Sequence, residues 1–314
     1  MKPIGGFFEL ELPPAGNPHH AGAVAFASGR ACMTAALIAM RPDSVRLPFY
    51  CCDAVLEPIR RLGIRFDYYR LDDALEPADE LVPRPGEACV AVNYFGLKSD
   101  ACRRLAETWK DRLIVDNTQA YFRKNELPAW SFNSARKFFG VPDGGYLYAP
   151  SAVPAPTSRN DDASWDHLIL RLRGRQEEAF QAFQRNESSV TCEPMAMSLG
   201  ADRVLRSVDP ARVADIRRRN YDHYHAILGP ANCLRLPRSP DAVPFCYPFL
   251  PPRPADRARL SAMKIFIPTL WSDCLDRAET GFDWECDLSR RLLPLPVDQR
   301  CDEADIQRVV EAIR

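Results

Sequence analysis

Seven side chains and one glycine in this chain have the types and spacing to hold and activate a phosphorylated aldehyde. Ser28, Gly29 and Arg30 stand where a loop runs into the helical stretch "ASGRACMTAALIAM", and the free amides and dipole of a helix start suit a phosphate. Asp116 ends the apolar run "RLIVDN", with Gln119 three residues on, and Lys137 follows twenty-one residues after the aspartate in "SFNSARKFFGVPDGG". An anion cradle, a buried carboxylate and a lysine on a strand-end loop are the three anchors that pyridoxal phosphate requires. The amine makes the Schiff base, the carboxylate keeps the pyridine nitrogen protonated, and the amides take the phosphate. Spacing alone leaves open a surface lysine, since most lysines keep their ammonium in water, and a helix-capping aspartate.

Two serines compete for the phosphate. Ser131 directly precedes Phe132, and Ser134 has the Ser-x-x-Lys spacing. Arg30 could clamp the phosphate bidentately or point to solvent. Tyr50 and Phe49 could supply a ring beside the cofactor or lie in the core. Cys52 has no histidine nearby in sequence that would make it a nucleophile.

The elements that must carry these groups alternate. "VRLPFY", "IRFDYYRL", "ACVAVNYFG" and "RLIVDN" read as strands, while "DAVLEPIRRLG" and "SDACRRLAETWKD" read as helices. Short apolar strands between helices predict a parallel sheet covered on both faces, with ligands at the carboxyl ends of the strands. Asn93 and Asp116 sit at such ends. Beyond Gly145 come a proline-rich loop (149–162), a polar helical region from Trp165 to Gln184, the turn-rich "RNESSVTCEP", a long helix carrying "VADIRRRNYDHYHAIL" and a terminal amphipathic helix. The expected division is a large cofactor-binding domain, 1–208, and a small α+β domain, 209–314, with the N-terminal segment free to pack elsewhere.

The sequence resembles the DegT/DnrJ/EryC1/StrS family of sugar aminotransferases, which depend on pyridoxal phosphate and have the fold-type I architecture. The likeness is collinear. "ASGRACMTAAL" is similar to the family's phosphate loop and helix, "LPFYCCDAVLEPIRRLG" to its Pro-x-x-Thr-aromatic segment, and "VNYFG" to its His-x-x-Gly strand end. "VDNTQA" is similar to Asp-x-Ala-Gln/His-Ala, and "SFNSARKFFGVPDGG" to the lysine segment with its closing glycine pair. "IRRRNYDHYHAIL", "KIFIPTLW" and "RLLPLPVDQRCDEADIQRVVEAI" match the small domain.

The resemblance implies that Lys137 binds the cofactor covalently and then shuttles protons, that Asp116 meets the pyridinium nitrogen, and that Gln119 lies on the O3′ side. It implies an α/β fold-type I transferase with a mainly parallel sheet, a homodimer, an amino donor such as glutamate, and a keto-sugar acceptor, nucleotide-linked, in amino-sugar or polysaccharide biosynthesis. Departures from the pattern are Arg30 for threonine, Cys52 for the stacking aromatic, and "NESSVTCEPMAMS" for the loop that reaches the partner subunit. A dehydratase branch has histidine for the lysine, and Lys137 argues against it. Another carbonyl substrate on the same scaffold, or a non-catalytic protein with this fold, are the alternatives.

Composition narrows the classes. Forty-one basic against forty-two acidic residues give a net charge of −1 over 314 residues, which leaves no footprint for nucleic acid or an anionic membrane. Arg217, Arg218 and Arg219 read as a solvated helix face. Eleven cysteines without a CxxC pair read as buried thiols, and no apolar run reaches membrane length. A cytoplasmic protein without a metal centre is expected.

Overall fold

The computed structural model describes residues 6–8, 10–124, 128–153, 155–156 and 158–313. Seven strands form one sheet: β1 (Val24–Phe26), β2 (Ser44–Pro48), β3 (Arg65–Tyr69), β4 (Glu87–Val92), β5 (Leu113–Asn117), β6 (Trp130–Asn133) and β7 (Gly145–Tyr148). Their order across the sheet is β1-β7-β6-β5-β4-β2-β3. Strands β3, β2, β4, β5 and β6 pair in parallel, and β7 runs antiparallel between β1 and β6. The sheet is therefore mainly parallel, as expected. β4 and β5 are buried at every position, the condition that produced their uninterrupted apolar runs. β3 is an edge strand with Arg65 and Asp67 exposed, and it alternates.

Helices α1 (Gly29–Met40), α2 (Leu56–Arg61) and α3 (Ser99–Trp109) connect the first strands, and α4 (Asp166–Leu172), α5 (Gln176–Ser189) and α6 (Leu199–Ser207) follow β7. The polar helical region is split at Gly174, whose φ of +75° suits glycine and ends α4. α5 continues through Arg185–Ser189, where turns were expected. Asn186 there is buried and donates its side-chain amide to Pro142 O at 3.2 Å, a tertiary contact that local turn propensity does not report.

The C-terminal part contains α7 (Pro210–Leu228), β8 (Cys246–Phe249), α8 (Arg257–Ala262), α9 (Asp283–Arg291), β9 (Leu293–Pro296) and α10 (Glu303–Ile313), with β8 and β9 antiparallel. α7 is capped by the Asp209 carboxylate on Arg212 N–H, with proline in its first turn. Its apolar side chains nonetheless join the core of the sheet. Tyr221, Tyr224, Tyr247 and Leu295 belong to the same buried cluster as Val90 and Ile114.

Arg217 corrects the expectation of a solvated arginine face. It is 1% exposed, its guanidinium lies 4.4 Å from the Phe138 ring centroid, and it donates to Pro244 O and Phe245 O. Three successive helical residues point in three directions, and one of them here points inward. The eleven thiols are free and seven are buried. Among the described residues no helix is long and apolar enough to cross a membrane.

Candidate active site

The register of β5 and β6 decides which groups can meet. Asp116 pairs with Phe132 and Val115 with Ser131. Side chains alternate along a strand, so Asp116 and Phe132 share one face while Ser131 and Asn133 share the other. α1 covers the Asp116 face: a β-carbon on Gly29 would lie 3.3 Å from Thr118 Cγ2 and 3.4 Å from a Phe132 ring carbon. Ser131 lies on the far side of the sheet from Asp116, with its Oγ buried and unpartnered. Ser134 directly follows β6 and opens the 3-10 turn Ala135–Lys137, on the Lys137 side.

Ser28 caps α1. Its Oγ accepts from Ala31 N–H at 3.0 Å and donates to Thr191 O at 3.3 Å. The amides of Gly29 and Arg30 find no acceptor among the described residues, so two donors remain open at the helix start. The Gly144–Gly145 pair brings this helix start against the lysine turn. Gly144 N–H donates to Ala27 O at 2.7 Å, and Gly144 O accepts from Ala135 N–H at 3.0 Å. A β-carbon on Gly145 would stand 2.8 Å from Asn133 O and 3.0 Å from Ser28 C. Ser134 Oγ, beside this junction, takes no partner among the described residues.

Lys137 is exposed, and its Nζ donates to Thr118 Oγ1 at 3.1 Å. Asp116 is 5% exposed and accepts Thr118 N–H at 2.8 Å on Oδ1. Burial pushes the Asp116 carboxyl above the usual carboxylate range, while the Lys137 ammonium and the bonds from Thr118 pull it back. Carboxylate and amine are thus near enough to sense each other, with one on each side of Thr118. Thr118 was not singled out from the sequence. Its place between Asp116 and Gln119 was the available signal.

Four other expected side chains have partners within the chain. Gln119 is buried, and its Oε1 accepts from Phe95 N–H at 2.9 Å, holding a residue at φ +57°. Arg30 is paired with Glu57, its Nε 2.9 Å from Glu57 Oε2. Phe49 stacks on Phe282 at 4.1 Å, and Tyr50 packs against Tyr94 and Trp271. Both rings are core residues. Cys52 is half-buried beside the site, its thiol pushed up by burial and drawn down by Lys137. Asn93, at the neighbouring strand end, bonds Asn117 Oδ1 and Ser99 Oγ.

On its other side Lys137 borders a cavity of about 890 Å³ between the lysine turn, α4, α5 and the C-terminal part, with Phe139, Trp165, Phe180, Arg171 and Arg300 in its wall. Arg300 is paired with Asp298.

No protein-family model matches the chain, and no curated protein matches its sequence. Solved structures do match its fold. The sugar aminotransferase CalS13 from Micromonospora echinospora superposes with a TM-score of 0.63 at 20% identity, over 93% of this chain and 86% of that one. A DegT DnrJ EryC1 StrS aminotransferase from Brucella abortus gives 0.62 at 16% identity, over 93% and 85%. Spr1654 from Streptococcus pneumoniae in its PLP-form gives 0.65 at 11%, over 93% and 86%. The chain thus shares its overall fold with these aminotransferase structures.

Proposed function

We propose that this protein is a pyridoxal phosphate-dependent aminotransferase that moves an amino group, with glutamate as donor, onto a keto sugar carried by a nucleotide. The observation that carries this reading is the meeting of Asp116, Lys137 and the open start of α1 on one side of one sheet edge. The residues fit the cofactor by their donor chemistry. Two helix amides without an acceptor and the unengaged Ser134 hydroxyl suit a phosphate dianion. The glycine pair lets this cradle approach the lysine turn without a side chain between them. The solved sugar aminotransferases with this fold support the same assignment.

When bound, pyridoxal phosphate supplies an aldehyde carbon and an electron-withdrawing ring. Lys137 provides the amine that holds it, and then the base that takes a proton from the amino donor and returns it to the other reacting carbon. Asp116, buried at the sheet end, keeps a proton on the ring nitrogen. Ser28, Gly29, Arg30 N–H and Ser134 bind the phosphate, while the Arg30 side chain supports α1 through Glu57. Gln119 acts from behind the site by holding the Phe95 turn. The cavity beside Lys137 supports the nucleotide part of the reading, since its aromatic wall suits a base and Arg171 a phosphate.

We read residues 1–208 as the cofactor-bearing part and 209–314 as the part that closes over the substrate. The functional unit is a homodimer; the exposed Ile169, Leu172, Phe180 and Phe183 on α4 and α5 support an apolar contact there.

The test is a visible spectrum of the protein loaded with pyridoxal phosphate, before and after glutamate, with borohydride trapping and peptide mapping. Label on Lys137, and loss of the cofactor's absorbance with glutamate alone, are expected. A nucleotide-linked keto sugar should restore the absorbance. Label on another lysine overturns the assignment, and restoration by simple keto acids alone would move the substrate to another carbonyl class.

A further inference from the structure

Thr118 touches all three anchors of the site at once. Its backbone N–H donates to Asp116 Oδ1 at 2.8 Å. Its Oγ1 accepts from Lys137 Nζ at 3.1 Å. Its methyl Cγ2 lies where the first residue of α1 comes closest, 3.3 Å from a β-carbon built on Gly29. A β-carbon at position 29 would crowd this approach, so the threonine and the helix start lie close to each other.

The direction of the hydrogen bonds follows from counting hydrogens. A threonine hydroxyl has one proton and two lone pairs, and a lysine ammonium can only donate. Thr118 Oγ1 therefore offers its lone pairs to the amine. Lys137 Nζ is thereby tied to a residue whose backbone N–H is bonded to the buried Asp116 carboxylate. An exposed lysine loses side-chain rotamer freedom on being fixed. A charge-assisted bond to a hydroxyl that is itself held in place offsets part of that loss.

We infer that Thr118 is a positioning residue: its hydroxyl holds the Lys137 amine at the site, at a set distance from Asp116 and the α1 amides, ready to capture an aldehyde. This rests on the function proposed above. It adds that the group presenting the amine is a side chain between the carboxylate and Gln119, and that the hydroxyl acts, with the methyl serving to pack against α1.

The experiment mixes cofactor-free protein with pyridoxal phosphate and follows both the rate of absorbance change and the fraction of label that borohydride fixes on Lys137. Thr118→Val keeps the shape and removes the hydroxyl; Thr118→Ser keeps the hydroxyl and removes the methyl. Loss of a charge-assisted bond predicts capture about tenfold slower, or more, in T118V, with most of that loss recovered in T118S. The melting temperature of each cofactor-free variant separates slow capture from unfolding. If T118V captures at the wild-type rate, or T118S is as slow as T118V, the hydroxyl is not the device and the inference falls while the proposed function stands. Wild-type protein that fixes no label on Lys137 overturns the proposed function and this inference together.

Discussion

The backbone of Gly145 lies so close to that of Ser28 that a β-carbon on the glycine would stand 3.0 Å from the serine carbonyl carbon. This approach makes the start of α1 and the lysine turn parts of one site, although 108 positions separate Ser28 from Arg136 in the chain. Gly145→Ala is therefore expected to cost about 1–3 kcal/mol, since the neighbours at risk are backbone atoms. Urea denaturation measures the stability loss. Equilibrium titration with pyridoxal phosphate should show weaker binding as well, because the cradle must open to admit the methyl group.

Asp116→Asn should separate chemistry from folding. The asparagine oxygen can still accept Thr118 N–H, so the helix side of the site keeps its bond. Turnover should fall by about 10²–10⁴-fold, because the amide cannot hold a proton on the ring nitrogen. The pH dependence has a definite sign. The native carboxyl is raised by burial, so the folded state binds this proton more tightly than the unfolded chain does. Stability conferred by that proton is present below the ordinary carboxylate value and is lost as pH rises through the raised native one. Relative to wild type, the asparagine variant should gain stability across that window. A variant losing stability at neutral pH would make Asp116 a structural group.

Lys137→Ala should leave the melting temperature nearly unchanged, within about 0.5 kcal/mol in stability, because Lys137 is exposed and among the described residues its amine bonds the Thr118 hydroxyl alone. Borohydride labelling at that position should vanish. Thermal denaturation and peptide mapping on one sample check both halves.

Gln119→Leu should destabilise the cofactor-free protein by about 1–3 kcal/mol, since it removes the acceptor of the buried Phe95 N–H. Chemical denaturation without cofactor is the measurement. Unchanged stability there would return Gln119 to a purely ligand-facing role.

His20 predicts acid sensitivity. It is 2% exposed, bonded to Tyr148 OH and Asn133 Nδ2, and burial drives its native value down to about 3. The unfolded chain takes up this proton below the ordinary histidine value of about 6.5, while the folded state refuses it until about pH 3. Stability should fall through that window by up to about 1.4 kcal/mol per pH unit. His20→Gln should flatten this slope, read from denaturant melts at several pH values.

Much of the fold was legible because its signals are local. The apolar runs of β4 and β5, the alternation in β3, and the proline and Asp209 cap at the start of α7 each reflect the environment of a short segment. Asp116 and Lys137 were legible for a related reason: a carboxylate at a strand end and a lysine before a glycine pair are a recognisable order along the chain. Ser131 against Ser134 was also half-written there, since strand parity separates them once the register of β5 on β6 is known.

What the chain order could not carry was the use each polar group makes of its neighbours. Arg30 meets Glu57, Gln119 meets Phe95 and Lys137 meets Thr118 only after α1, α2 and the strand ends have packed together. Arg217 turns inward because Phe138 and the carbonyls of residues 244 and 245 are there to receive it. Sequence by itself determined the layers, the order of the strands' hydrophobicity and the residues able to do chemistry. Tertiary structure decided which of those residues share a face and which are already spent, because hydrogen bonds and ion pairs are made between atoms a few ångströms apart, wherever they lie in the chain.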